Sequence, residues 1–109
     1  MSIKKADNAI SINGNEVRFG YAVDTVLEFP EYCIVLLLED EIPDNNVEAV
    51  DYNGNIVWNI SQIIKLQYPE AYISLRKESA TTFSVVSYNG VRFVVDITTR
   101  RVVNKSMTK

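Results

Sequence analysis

The sequence contains no histidine and only one cysteine among its 109 residues. Without histidine, the chain lacks the commonest general base at neutral pH and the commonest metal ligand. A single cysteine excludes an internal disulfide, a zinc site made of cysteines and a CxxC redox pair. The four glycines lie far apart and no Gly-Lys-Ser/Thr triplet is present, so phosphate-binding loops are excluded as well. We therefore expect no enzymatic activity, no metal and no cofactor.

Long apolar segments are missing too. The longest purely apolar run covers residues 33–38, whereas a transmembrane helix needs about 20 such residues. Residues 1–15 lack the apolar core that a secretory signal requires. These two absences predict a cytoplasmic protein that does not enter membranes.

The composition that remains, 47 % hydrophobic and 23 % charged, is typical of a folded globular chain. A length of 109 residues supports one hydrophobic core, so we predict a single β-rich domain over residues 1–109. The polar tail at residues 104–109 is expected to be frayed.

Three Asn-Gly pairs, at positions 13–14, 53–54 and 89–90, lie between runs rich in Val, Ile, Phe and Tyr. Because Asn-Gly tolerates the two positive φ angles of a type I′ turn, each pair predicts a two-residue β-hairpin. The flanking runs alternate as half-buried strands do. Their predicted inward residues are Val17, Phe19, Tyr21 and Val23, then Ile56, Trp58 and Ile60, then Val91, Phe93, Val95 and Ile97. A fourth reversal is predicted at residues 98–101.

Two segments depart from this alternation. The apolar run at residues 34–38 is typical of a strand covered on both faces, at the centre of a sheet or in a barrel wall. Residues 61–69 are the one helix candidate, with Ser61 as its cap and Pro69 at its end.

Residues 71–76 are predicted to form a strand with Ala71, Ile73 and Leu75 inward, with a helical turn as the alternative. The whole pattern gives seven to nine short strands. We therefore predict a mainly β fold, an antiparallel meander that forms a small barrel or sandwich with at most one short helix.

Charge is distributed unevenly along the chain, whose formal net charge is −3. No Lys or Arg occurs from Phe19 to Ile64, a span that carries nine acids: Asp24, Glu28, Glu31, Glu39, Asp40, Glu41, Asp44, Glu48 and Asp51. Three bases and two acids precede this span, and eight bases and three acids follow it, so the three parts carry +1, −9 and +5. Either the late bases neutralise these acids in space, or the acids form a surface for a basic partner.

The acids are densest at residues 39–44, a segment that contains Pro43 and therefore predicts a loop after the apolar strand. Carboxylates about 4 Å apart near a protein surface repel each other by about 4 kcal/mol, and a cationic partner relieves that repulsion. We predict that a protein partner binds the loop and its neighbour, through Glu39, Asp40, Glu41, Asp44 and Glu48.

Residues 47–60, Val-Glu-Ala-Val-Asp-Tyr-Asn-Gly-Asn-Ile-Val-Trp-Asn-Ile, and residues 93–102, Phe-Val-Val-Asp-Ile-Thr-Thr-Arg-Arg-Val, suggest a kind of partner. They resemble the small, acidic, β-rich immunity proteins of bacterial polymorphic toxin systems. The resemblance implies a non-catalytic protein that neutralises a cognate toxin, a basic domain of the nuclease type, by covering its active site. It implies no role for any individual residue.

Other features suggest other functions. A partly open barrel lined by Trp58, Tyr21 or Tyr72 would bind a small ligand, although the alternation around Trp58 favours a core position. The opposite charges of the two halves would also suit a structural subunit of a larger assembly. A stacking platform for nucleic acid would need Tyr88 and Phe93 beside Arg92, Arg100 and Arg101. Because the net charge is negative, we expect no nucleic-acid binding.

Overall fold

A computed structural model describes residues 3–38 and 43–108 of the chain. In these ranges the chain forms eleven strands and one 3-10 helix, Ile60–Gln62. The strands are β1 (Ile3–Ala6), β2 (Ala9–Ile12), β3 (Asn15–Arg18), β4 (Val23–Glu28), β5 (Cys33–Leu37), β6 (Val47–Val50), β7 (Ile56–Asn59), β8 (Tyr72–Lys77), β9 (Thr82–Ser87), β10 (Val91–Asp96) and β11 (Arg101–Met107).

The strands form three antiparallel sheets, each a meander of consecutive strands. We call them the N-terminal sheet (β1–β3), the central sheet (β4–β7) and the C-terminal sheet (β8–β11). The predicted mainly β meander is confirmed, and it is sandwich-like without closure into a barrel. The predicted number of strands is too low because β1 and β2 turn at Asp7-Asn8, which lacks the Asn-Gly pair that marks three of the other turns.

The central sheet lies between two hydrophobic clusters, and β5 contributes to both. Ile34 and Leu36 pack with the C-terminal sheet, whereas Cys33, Val35 and Leu37 pack with the N-terminal sheet. All five residues of β5 are buried, as predicted for an apolar run covered on both faces.

Only the first Asn-Gly pair forms the predicted two-residue turn. Asn13 and Gly14 both have positive φ, 49° and 84°, between the paired residues Ile12 and Asn15. At the other two pairs only the glycine has positive φ, and the loops cover residues 51–55 and 88–90. Nearby side chains stabilise these longer loops, because Asp51 Oδ1 accepts two backbone N–H groups and Ser87 Oγ accepts one.

Three residues predicted to face inward are exposed in the structure. A β-bulge at the start of β8 turns Ile73 outward, while Tyr72 and Leu75 face the core; the strand itself is confirmed. Another bulge in the β6–β7 pair leaves Ile56 exposed. Tyr21 is exposed because β3 ends at Arg18.

The helix and the tail also differ from the prediction. The 3-10 helix is a single turn capped by Asn59 rather than Ser61, since Asn59 and Gln62 form a reciprocal capping box; residues 63–69 are not helical. The fourth reversal is present, at residues 97–100. The expected fraying from residue 104 is wrong for residues 104–108, because β11 pairs with β10 up to Met107 and Thr108 N–H donates to Gly90 O.

Candidate protein-binding surface

Three connections meet at one end of the sandwich, which we call the loop end. They are the described part of the β5–β6 connection (residues 43–46), the segment before β8 (residues 68–71) and the β9–β10 turn (residues 88–90). Backbone hydrogen bonds join them: Asn45 N–H donates to Glu70 O, and Tyr88 N–H donates to Ala71 O, both at 2.9 Å. The loop end is therefore one connected surface built from three distant parts of the sequence.

Asn46 fastens the first connection to the core. Its side chain is buried, donates to Leu37 O and Tyr72 O at 2.8 Å, and accepts Tyr72 N–H at 2.7 Å. The amide therefore acts like a neighbouring strand for the start of β8, and all three bonds are shielded from water. A loop fixed in this way loses little conformational entropy when it binds a partner.

Glu70 fastens the other two connections to each other. Its carboxylate accepts Asn89 N–H at 3.3 Å, while its backbone carbonyl accepts Asn45 N–H. Two tyrosines flank this acid, Tyr68 at 73 % exposure and Tyr88 at 69 %. Tyrosines are enriched among the residues that dominate binding at protein interfaces.

The predicted partner-binding residues are only partly within the described chain. Asp44 lies exposed in the loop end, next to Asn45. Glu48 lies on β6 opposite Val35, half-buried, on the face of the central sheet that the N-terminal sheet covers. Glu39, Asp40 and Glu41 lie outside the described residues.

The described residues show how far Lys and Arg side chains pair with the acids of residues 19–64, which we call the acidic span. Residues 3–38 and 43–108 contain two ion pairs, Arg18–Glu16 at 2.6 Å and Arg92–Glu78 at 2.7 Å. Six acids of the span are described: Asp24, Glu28, Glu31, Asp44, Glu48 and Asp51. No carboxylate oxygen of the six lies within 4 Å of a described Lys or Arg nitrogen. The ammonium groups of Lys5 and Lys77 reach two of these residues, but at the backbone oxygens of Asp24 and Glu28.

Sequence reasoning missed three contributors to the loop end: Asn46, Tyr68 and Glu70. Tyr68-Pro69 in a short segment without alternation is a weak signal for an exposed aromatic residue. Nothing in the sequence indicates that Asn46 reaches β8, because its contacts are 9 and 26 residues away.

The residues named for other functions are not brought together. Trp58 stacks on Phe83 at 5.8 Å and Tyr72 packs edge-on against Phe93 at 6.5 Å, so both are core residues between the central and C-terminal sheets. Tyr88 lies at the loop end, whereas Arg100 lies beyond the other end of β10. Phe93 is buried and Arg92 pairs with Glu78, so these five residues do not form a stacking platform.

The one cysteine is a core residue. Cys33 is fully buried, and burial raises the pKa of its thiol to about 11. A neutral, buried thiol is unreactive at physiological pH.

A shallow cleft of about 430 Å³ lies at the opposite end of the sandwich, between the β4–β5 and β10–β11 turns. Glu31 and Arg100 line the cleft without forming an ion pair. Val57 and Ile97 form the apolar part of its wall. Tyr32 also lines it, with its hydroxyl donating to Ile97 O at 2.5 Å.

Metal ligands do not cluster in the described part of the chain, where no group of three or more Cys, Asp or Glu side chains is arranged to hold an ion. Across the same residues, no helix has the length and apolarity that a membrane span requires.

A family model described as Domain of unknown function (DUF7957) matches residues 1–107. No curated protein matches the chain.

Proposed function

We propose that this chain, which belongs to the DUF7957 family, is a non-catalytic binding protein that docks a cationic protein through the loop end. The observation that carries the proposal is the acid at the loop end, where Asp44 is exposed and neither its carboxylate nor that of Glu70 lies within 4 Å of a Lys or Arg nitrogen of the described chain. Unpaired carboxylates raise the local concentration of a cationic partner and speed its association.

The same features support an immunity protein as the specific role. A toxin nuclease binds phosphates with a cationic cleft, and a surface that carries the carboxylates of Asp44 and Glu70 with exposed Tyr68 and Tyr88 has the charge to cover such a cleft. A standard interface of roughly 800 Å² per partner fits a molecule with 6253 Å² of accessible surface. The protein would act in the cytoplasm and hold no cofactor.

The test uses the stoichiometric partner isolated from the source cells on immobilised wild-type protein. The double variant Glu41→Lys/Asp44→Lys reverses two charges of the acidic segment at residues 39–44, of which Asp44 lies in the loop end. Glu28→Lys/Glu31→Lys changes the net charge equally at the opposite end and is the matched control. At 50 mM NaCl we expect the first variant to associate at least about tenfold more slowly, and the control to associate within about threefold of wild type.

Association rates are measured by surface plasmon resonance at 50 and 300 mM NaCl, with urea unfolding midpoints to show that both variants fold. A partner that is a basic nuclease domain, inhibited at a 1:1 ratio, would support the immunity role. An association rate that neither variant changes, or an acidic partner, would disprove electrostatic docking at the loop end.

Binding of a small ligand is the second candidate, favoured by the cleft that holds unpaired Glu31 and Arg100. Tyr32 in this cleft contacts Trp58 edge-on at 5.8 Å, so a ligand there would alter tryptophan emission. Titration with free amino acids and other zwitterionic metabolites tests the idea. Unchanged emission and an unchanged melting temperature across the panel would argue against it.

A further inference from the structure

The edge of the C-terminal sheet is formed by β11, the longest strand in the described chain. Its only strand neighbour is β10, and all seven of its residues are exposed. An edge strand presents alternate backbone N–H and C=O groups to solvent, and these groups can pair with an additional strand.

At two other sheet edges, formed by β8 and β4, side chains hydrogen-bond to the backbone of the edge strand. At the other edge of the same sheet, the Asn46 amide occupies both the N–H and the C=O of Tyr72 on β8. On β4, the ammonium groups of Lys5 and Lys77 donate to Asp24 O and Glu28 O at 2.7 and 2.9 Å. Within residues 3–38 and 43–108, no side chain caps the outer edge of β11 in this way.

The sheet that β11 borders is rich in bases. Residues 72–108 contain six cations, Arg76, Lys77, Arg92, Arg100, Arg101 and Lys105, against two acids, Glu78 and Asp96. Both acids are already engaged: Glu78 binds Arg92 and Ser84, and Asp96 Oδ1 accepts the N–H groups of Thr98 and Thr99. Asp96 is the cross-strand neighbour of Arg101, but no carboxylate oxygen of the described chain lies within 4 Å of a side-chain nitrogen of Arg100, Arg101 or Lys105.

Exposed apolar side chains lie among these charges. Val103 and Met107 are 58 % and 61 % exposed, and Lys105 lies between them with its ammonium group 5.7 Å from the Phe93 ring. The bulge between Val94 and Val95 shifts the register at Val103, so Lys105 and Met107 share the face of Phe93, whereas Arg101 lies opposite Asp96 on the other face. An added strand would therefore meet a positive charge on each face. The complementary sequence is extended and carries carboxylates on both faces among β-branched residues.

A second copy of the chain fits this edge less well. Antiparallel pairing of two β11 strands around Asn104 would set Lys105 of each copy diagonally across from the other on one face. Like charges at such positions destabilise the pairing of strands. Charge complementarity therefore favours a different, acidic occupant.

We propose that β11 is a docking edge for an extended, acid-bearing segment of a partner protein, which adds a fifth strand to the C-terminal sheet. This surface goes beyond the loop end and has the opposite charge preference. One molecule therefore offers two docking surfaces, one for a cation and one for an anion.

The probe is a fluorescein-labelled nine-residue peptide, Val-Val-Glu-Glu-Val-Val-Glu-Glu-Val, which places glutamate on both faces of a strand, and the control peptide carries lysine in place of each glutamate. Binding is measured by fluorescence anisotropy at 50 and 300 mM NaCl. We expect the glutamate peptide to bind wild-type protein, the lysine peptide not to bind, and the affinity to fall at high salt. The variant Arg101→Glu/Lys105→Glu is expected to bind at least about tenfold more weakly. Lys4→Glu/Arg18→Glu, with the same change in net charge on the N-terminal sheet, should bind as wild type does.

Amide hydrogen exchange followed by NMR shows whether the peptide occupies the backbone edge. In the free protein we expect fast exchange at alternate residues of β11, and at least tenfold slower exchange there with saturating glutamate peptide. Equal binding of both peptides, binding without slower exchange in β11, or no binding at 50 mM NaCl would overturn the proposal. Self-association that protects the same amides at high protein concentration would identify a second copy as the occupant and would also overturn it.

Discussion

Asn46 and Tyr72 show, at the scale of single residues, how differently two buried polar side chains are accommodated. The Asn46 amide makes three hydrogen bonds that hold the loop end against β8. The Tyr72 hydroxyl, on β8 itself, is buried and has no hydrogen-bond partner in the part of the chain that the structure describes. A buried polar group without a partner destabilises the fold by about 1–3 kcal/mol, so Tyr72 is a weak point of the core.

Tyr72→Phe removes this hydroxyl and keeps the ring, which packs edge-on against Phe93. We expect the free energy of unfolding at neutral pH to rise by about 1 kcal/mol, measured by urea denaturation. The control is Tyr88→Phe, at an exposed turn position, which should leave stability within about 0.5 kcal/mol of wild type.

The same variant also changes the response to alkaline pH. Burial raises the pKa of Tyr72 from 10.0 to about 12, so the unfolded chain loses this proton first. The contribution of the neutral Tyr72 hydroxyl to the free energy of unfolding is therefore fully present below pH 10 and is lost as pH rises toward about 12. Tyr72→Phe should show a smaller fall over this range than wild type. A residual fall is expected from Cys33, whose pKa burial raises from 9.0 to about 11. If the free energy of unfolding falls equally steeply with pH in the variant and in wild type, Tyr72 does not contribute to the pH dependence.

The turns show, at the scale of elements, that one dipeptide has different structural roles. Asn13-Gly14 occupies the two central positions of its turn, whereas Asn53-Gly54 closes a five-residue loop organised by Asp51. Gly54 also lies against β3: a Cβ added there would be 3.2 Å from Asn15 Cβ, while one added at Gly14 would meet nothing within 4 Å. The turn between β6 and β7 therefore lies so close to the N-terminal sheet that a side chain at residue 54 would crowd β3.

Replacing each of these glycines by alanine separates backbone strain from crowding. Both have positive φ, 84° and 87°, so each substitution carries the penalty of a left-handed residue. We expect Gly14→Ala to destabilise by about 1 kcal/mol and Gly54→Ala by about 2 kcal/mol, because only the second also crowds Asn15. Thermal and urea unfolding of both variants measure the difference. If the two variants lose equal stability, β3 moves to accommodate the new methyl group without strain.

The three layers are coupled, at the scale of the whole molecule, through β5. Its residues alternate between the two hydrophobic clusters, so neither outer sheet can separate without exposing a face of the central sheet. Each cluster contains a natural probe: Cys33 lies in the cluster with the N-terminal sheet, and Trp58 in the cluster with the C-terminal sheet.

We predict that the two clusters unfold together. Alkylation of Cys33 by iodoacetamide in short pulses and tryptophan emission should give the same midpoint in urea, as expected for a single cooperative transition. Alkylation at a lower urea concentration than the change in emission would show that the N-terminal sheet detaches first.

Local patterns predict much of this architecture. The Asn-Gly pairs mark three of the reversals, and the alternation identifies Phe93, Val95 and Ile97 as core residues. The run of five apolar residues in β5 correctly predicts a strand covered on both faces. These features are local, because the period of side chains and the φ preference of glycine depend on adjacent residues.

The errors arise where a distant contact alters local geometry. Ile73 faces solvent because of a bulge in the pairing of β8 with β9, and the predicted frayed tail is held by β10. The candidate site shows the same limit. The sequence identifies Asp44 as an exposed acid, but it does not reveal the hydrogen bonds that connect Asn45, Glu70 and Tyr88.

The sequence by itself determined the β character, the central position of β5 and the long segment without Lys or Arg, because each depends on the order of residue types along the chain. Only the tertiary structure decided which carboxylates remain unpaired and which strand edges stay open. Those properties depend on which side chains meet across the three sheets, and residues such as Lys77 and Glu28 meet across 49 positions of sequence.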